Sequence, residues 1–175
     1  MIGVTTTRLV AVGDAPELAA LLVANRDFLA PWEPFRPAEF FTPDGQAAYL
    51  EEVLRLTAAG SAVPHVILDE DGRICGRITL SGIVRGPSLS ADLGYWVAEQ
   101  ANGKGRASAA VAHICRLAFG ELGLHRVEAG VQPHNAASQR VLHRNGFQRY
   151  GLAPRYLHID GEWRDHVLFQ LLSDD

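Results

Sequence analysis

The sequence is short of the features that define several large protein classes. It has only two cysteines in 175 residues, and both Cys75 and Cys115 lie within apolar patterns, not in a spaced framework. That argues against a disulfide-stapled scaffold and predicts a reduced, cytoplasmic protein. No run approaches the roughly 18 consecutive apolar residues of a membrane span. The opening MIGVTTTRLVAVGD places no basic region before an apolar stretch, so neither export nor a membrane partner is expected. Neither sign of charge dominates: 16 basic against 20 acidic residues leave a net charge of −4, which gives no global attraction to nucleic acid. The seven histidines are scattered and none forms an i, i+4 pair on a helix, so no metal site is expected. His158, Asp160 and His166 read as strand or turn residues facing solvent. Repeats, low-complexity tracts and interdomain linkers are absent as well. What the chain does have is 47% hydrophobic residues, enough for a single domain over residues 1–175 with a core of its own.

The most organised stretch runs from Gln100 to Leu122, where a glycine-rich loop leads directly into a patterned helix. Ala107, Ala110, Val111, Ile114, Leu117 and Ala118 recur at helical spacing and give that helix an apolar face. Gly103 and Gly105 precede it, so backbone N–H groups at a helix start are accessible to an anion such as a phosphate, with Lys104 and Arg106 adding mobile positive charge. The same residues also suit a loop that merely ends a strand and caps a helix. A nucleotide P-loop is excluded, because Ala98 and Gly105 stand where it needs glycine and Ser or Thr. The dinucleotide fingerprint fails at Ser108.

Taken in order, Thr5 to Val12 suits a first strand. Asp14-Ala-Pro-Glu17 opens a helix that Asp14 caps, with Leu18, Leu21 and Leu22 inward and an end near Asn25. Phe28 to Phe41 is rich in aromatics and prolines, too stiff and apolar for a plain linker, and fits either a loop folded over the core or a pocket wall. Thr42-Pro-Asp44 starts a second helix that buries Leu50, Val53 and Leu54 and ends near Gly60. His65–Asp69 and Arg73–Val84 form a hairpin around Asp71-Gly72, and Ser90–Val97 adds a third strand. The patterned helix and a strand at Arg126–Val131 then complete a crossover that makes the last two strands parallel neighbours. Asn135 caps a helix through Arg144 that stops at Gly146, and Leu152–Ile159 with Trp163–Leu172 close the chain as a hairpin about Asp160-Gly161.

This order resembles the GNAT N-acetyltransferases, and the motifs agree. Gln100-x-x-Gly103-x-Gly105 resembles the acyl-CoA pyrophosphate loop. Asn135-x-x-Ser138-x-x-Val141-Leu142-x-x-x-Gly146-Phe147 resembles the fourth-helix signature of the RimJ/RimL-type branch, the ribosomal-protein N-terminal alanine acetyltransferases and their relatives. Gly94-Tyr95-Trp96, Asn25-Arg26…Leu29-x-Pro31-Trp32 and Asp160-Gly161…Asp165-His166 match that branch too. The resemblance spans nearly the whole chain. It implies an α/β fold with a mixed central sheet of about six to seven strands flanked by about four helices, and acetyl-CoA as cosubstrate. It also implies that Gln100 and the backbone of Asn102, Gly103, Lys104, Gly105, Arg106 and Ala107 hold the pyrophosphate, with Ser108 close by. By the same resemblance Val97 pairs with the pantetheine arm, Asn135 hydrogen-bonds it, and Ser138 protonates the departing thiolate. Asn135 and Ser138 suit a helix cap and first turn equally well.

Two departures qualify the resemblance. The position that carries a tyrosine acid in some GNAT members is Leu142, which leaves Ser138. The position of a glutamate before the late-hairpin tyrosine is Arg155, which leaves Asp92 as the acidic candidate for a base, or as an exposed strand carboxylate. Trp32, Phe35, Arg36 and Tyr156 are the expected acceptor contacts. An α-amine with a pKa near ~8 is roughly a tenth neutral at pH 7, whereas lysine near ~10.4 requires on the order of 3 kcal/mol more from base or desolvation. A site without a sure base therefore favours a protein or peptide N-terminus. Acetylation of a small amine (antibiotic, polyamine or amino acid derivative) and a non-catalytic acyl-CoA sensor are the alternatives. An exposed hairpin edge leaves a homodimer open.

Overall fold

Runs rich in β-branched residues and separated by glycine turns build one seven-stranded sheet in the computed structural model, which describes residues 6–174. The strands are β1 (Thr6–Leu9), β2 (Val63–Leu68), β3 (Ile74–Val84), β4 (Ser90–Val97), β5 (Arg126–Val131), β6 (Gln148–Ile159) and β7 (Glu162–Leu172), in the spatial order β1-β2-β3-β4-β5-β7-β6. Every neighbouring pair is antiparallel except β4 with β5. That exception follows from the intervening helix, since only a long crossover returns the chain in the same direction.

The helices divide between the two faces. On one lie α1 (Ala15–Ala24), the single-turn α2 (Arg26–Leu29) and α3 (Pro43–Ala58), and on the other α4 (Arg106–Gly120) and α5 (Ala136–Arg144). Alternation along the strands serves both layers. Val66 and Ile74 meet Leu18, Leu50 and Val53, while Ile78, Leu80, Leu93 and Val127 meet Val111, Ile114 and Leu142. Thr42 caps α3 by accepting the Gly45 N–H at 3.0 Å, at the helix start that Thr42-Pro-Asp44 marks in the sequence.

Three local expectations change. The first strand ends at Leu9, Val12–Asp14 forms a 3-10 turn, and Thr5 lies outside the described residues. Asp14 does not cap α1 with its side chain. Its carboxylate takes two bonds from the Arg8 guanidinium at 2.8 and 2.9 Å and one from the Ala11 N–H, a stronger set than a neutral cap bond supplies. The Arg8 guanidinium accordingly holds the Asp14 carboxyl below its ordinary range. The last hairpin begins earlier than expected, at Gln148, because β6 absorbs irregularities at Arg149/Gly151 and Ala153/Leu157. β6 lies at one edge of the sheet and leaves Tyr150, Leu152, Tyr156 and Leu157 exposed.

Buried His65 bonds Thr7 Oγ1 at 2.9 Å and faces the His113 ring. Burial, aided by His113, pushes its pKa from 6.5 to about 4. Between those values the unfolded chain binds the extra proton, so the contribution of neutral His65 is complete above pH 6.5 and is lost as pH falls toward 4. Urea midpoints measured from pH 7 down to 4.5 are expected to fall more steeply for the wild type than for His65→Gln. Parallel curves would show that His65 does not set the acid sensitivity.

Candidate active site

β4 and β5 pair only where Ser90–Asp92 lies beside Arg126–Glu128. Beyond that point they part, and β5 continues to pair with β7 alone through Val131. Ala98 donates to the Cys75 carbonyl at 2.8 Å on the β3 side, so alternation turns the main-chain groups of Tyr95 and Val97 toward the opening between β4 and β5. An extended ligand arm placed there would find unpaired strand donors and acceptors.

The glycine loop stands at one end of this opening. Gly103 and Gly105 have φ of 73° and 74°, a left-handed conformation that side chains rarely adopt. Gly105 is the N-cap of α4 and supplies no side-chain cap, so the first-turn N–H groups remain available to an anion. A cavity of about 810 Å³ joins this loop to the opening. Its lining includes Asn102, Gly103, Gly105, Arg106, Ala107 and Ser108 from the loop and helix start, and Val97, Asn135 and Ser138 from around the opening. Gln100 and Lys104 are exposed and stand outside that lining. Arg106 corrects the expectation of mobile charge. It is buried, and its guanidinium pairs through Nη2 and Nε with Glu70, as a buried cation must find an anion. Ser108 Oγ accepts a bond from Asn145 Nδ2 at 3.1 Å.

At the start of α5, Asn135 Oδ1 accepts the Ser138 N–H at 3.1 Å. The Ser138 hydroxyl lies 2.8 Å from Tyr95 Oη. Burial pushes the Tyr95 phenol up to about 12, so it stays protonated and can donate to Ser138 Oγ. That leaves the serine proton free for a group in the cavity. Tyr95 was legible only as part of a motif. Its partnership with a serine 43 residues away has no signal in the sequence beyond the strand alternation that turns it toward α5.

A second cavity, of about 640 Å³, opens on the α1/α3 face. Phe28–Phe41 forms its wall, through α2 and 3-10 turns at Ala30–Trp32 and Ala38–Phe41. Phe35, Arg36 and Phe40 line this cavity with Tyr49 and Arg77, Phe35 being 78% exposed at its mouth. Trp32 lines the first cavity instead, its ring 5.1 Å from that of His134. Tyr156 lines neither and is 47% exposed. The irregularity between Ala153 and Leu157, where Arg155 has φ of 49° and donates its N–H to Asp165, shifts the alternation and gives Leu157 and Ile159 to the first cavity.

Asp92, the expected base, is exposed and lines neither cavity. Although the residue as a whole is exposed, the strand surface around its carboxylate removes part of its water, and that loss, with the charge of Glu128, raises its pKa. Glu33 is the carboxylate that borders both cavities. Loss of water raises its pKa, while Arg36 and Arg77 oppose the rise. Its segment is pinned from two sides: the Asp160 N–H donates to the Glu33 carbonyl at 3.1 Å, and Gln132 Nε2 donates to that of Pro31 at 2.9 Å. An acid set between aromatics and prolines in Trp32-Glu33-Pro34-Phe35 was the available signal. Arg77, only 9% exposed, bonds Tyr49 Oη through Nη2 at 2.8 Å and lies over that ring. Its Nη1 has no partner, nor does Arg36 Nε.

Cys75 and Cys115 line neither cavity, and burial raises both thiols, Cys115 to about 12, so neither is poised as a thiolate nucleophile. Among the described residues no three His, Cys, Asp or Glu side chains are grouped to hold a metal ion. Nor is any helix among them long and apolar enough to cross a membrane.

Residues 6–148 match the family described as an acetyltransferase (GNAT) domain. The [ribosomal protein uS5]-alanine N-acetyltransferase of Escherichia coli (strain K12) is 38% identical over 169 residues, covering 96% of this chain and 87% of its own. The structure of RimJ from Mycobacterium smegmatis, in complex with CoA-disulfide, superposes with a TM-score of 0.95 at 34% identity, over 99% of this chain and 84% of that one. The ribosomal-protein-S5-alanine acetyltransferase of Vibrio fischeri superposes with a TM-score of 0.93 at 35% identity, over 98% and 94% respectively.

Proposed function

The chain belongs to the GNAT acetyltransferase family and transfers an acetyl group from acetyl-CoA to an amine, and from that premise we propose that its acceptor is the α-amine of a protein N-terminus in the cytoplasm. One observation carries this reading. The cavity that Phe28–Phe41 encloses holds a carboxylate, Glu33, beside two buried guanidinium N–H groups without partners, Arg77 Nη1 and Arg36 Nε. Unpaired buried donors are rare, and an acceptor on the ligand would satisfy both. A peptide terminus offers an ammonium for the carboxylate and, two bonds beyond its α-nitrogen, a carbonyl carbon whose oxygen suits the arginines. A polyamine offers only cations. The open mouth at Phe35 lets the rest of a polypeptide leave the cavity.

The residues of the first cavity fit acetyl-CoA. In this reading the amides from Asn102 to Ala107 hold the pyrophosphate, Ser108 lies beside it, and Gln100 and exposed Lys104 border it from outside the cavity. Val97 pairs with the pantetheine arm through its main chain, Asn135 lies alongside, and Ser138 supplies a proton to the departing sulfur. Trp32 and Phe35 flank the acceptor.

The test is CoA thiol release with Ala-, Ser- and Met-starting peptides, polyamines, lysine derivatives and aminoglycosides, each product being identified by mass. The expected result is acetylation of peptide α-amines, with Ala-starting peptides tried first because the E. coli relative is named for an alanine. Turnover confined to small amines would overturn the acceptor assignment.

A further inference from the structure

We propose that Glu33 receives the ammonium group of the acceptor and takes up its proton before acetyl transfer. The proposal rests on the amine acetylation described above and adds a catalytic residue to it. Three carboxylates border the acceptor cavity. Glu52 is held by Arg55 in two bonds of 2.7 and 2.8 Å, and Asp160 sits in the β6–β7 turn and does not reach the first cavity. Glu33 alone of the three borders both cavities, together with Gly94, Tyr95 and Trp96 of the diverging strand. Any amine passing from the acceptor cavity to a thioester lying along β4 must cross this junction. The main chain of its segment is also held, because the Asp160 N–H and the Gln132 side-chain amide donate to the Glu33 and Pro31 carbonyls, which narrows the positions its carboxylate can take.

Its surroundings suit a proton acceptor. The charged and titratable groups facing its cavity are Arg26 on α2, Arg36 on its own segment, Tyr49 and Glu52 on α3, Arg77 on β3, Tyr95 on β4 and Asp160. Toward the first cavity stand Arg106, Arg140, Arg144 and His166. Burial raises the proton affinity of Glu33, while Arg36 and Arg77 keep the carboxylate form accessible. The Glu33 carboxylate takes one proton from the ammonium, and the freed nitrogen pair forms the C–N bond to the acetyl carbon. The C–S bond breaks with its electron pair on sulfur, which takes a proton from the Ser138 hydroxyl. The second proton lost by nitrogen restores Ser138, and Glu33 returns its own to water.

The test compares kcat/KM from pH 5.5 to 9.5 for the wild type, Glu33→Gln and Glu33→Asp, using whichever acceptor the wild type acetylates best. Calorimetry supplies the affinity for CoA, and for the acceptor in the presence of CoA. Glu33→Gln is expected to lose about 100-fold in kcat/KM at pH 6.5. The loss should shrink above the α-amine pKa of ~8, where the free amine no longer needs a base. Acceptor affinity at pH 6.5 should weaken about tenfold, CoA affinity should stay unchanged, and Glu33→Asp should recover part of the activity. A loss that is constant across pH, no loss, or an equal loss of CoA affinity would each overturn the assignment. A wild type active only on small amines would refute the N-terminal acceptor and leave this comparison fully informative.

Discussion

Replacing Gly76 by alanine is expected to destabilise the protein by about 3 kcal/mol and to lower Tm by roughly 6–12 °C for a domain of this size. A Cβ at Gly76 would stand 2.3 Å from the Trp96 carbonyl oxygen and 3.0 Å from Val97 Cα. Both are main-chain atoms of β4, so no rotamer change relieves the clash. Gly76 pairs with Val97 in the register, at the point where β4 has left β5. Pushing β4 away from β3 there displaces the strand edge along the opening between β4 and β5. A rise of tenfold or more in KM for acetyl-CoA should therefore accompany the fall in Tm, about 1.4 kcal/mol of lost binding. Thermal denaturation and initial-rate kinetics check both. An unchanged Tm would mean that the two strands separate at little cost.

Ser138→Ala is expected to lower kcat and kcat/KM together by about 100-fold or more, as removal of a proton donor used only during bond breaking should. Stability and CoA affinity should hardly change, because the bond to Asn135 is made by the Ser138 main-chain N–H and survives the substitution. Tyr95→Phe should cost less, about tenfold, since Tyr95 acts by directing the serine hydroxyl. Steady-state rates with saturating acceptor distinguish these cases. A loss below threefold for Ser138→Ala would leave protonation of the sulfur to water.

Most of the architecture was legible because it is local. The apolar face of α4, the Asp71-Gly72 and Asp160-Gly161 turns and the Thr42 cap each depend on residues within a few positions of one another. The glycine loop was legible for the same reason. What was not legible depends on long separations. Arg106 reads as free positive charge until the fold brings Glu70 against it, 36 residues earlier in the chain. Asp92 reads as the available base by its place two residues before Gly94. The structure shows instead that its side chain lies outside both cavities, because pairing to β5 persists as far as Asp92. Tyr156 reads as an acceptor contact by its place in the closing hairpin, but the irregularity between Ala153 and Leu157 leaves it outside both cavities.

By itself the sequence determined the order of elements, the turn positions, the two-faced sheet and the anion-ready start of α4, since hydrophobic period, capping and left-handed glycines act over a few residues. Only the tertiary structure decided which polar groups do chemistry. Ser138 gains Tyr95, Arg106 is neutralised by Glu70, and Glu33 is carried to the junction of two cavities by hydrogen bonds from Asp160 and Gln132. The physical reason is that proton affinity and hydrogen-bond partnership depend on burial and on neighbours in space, which the linear pattern does not encode.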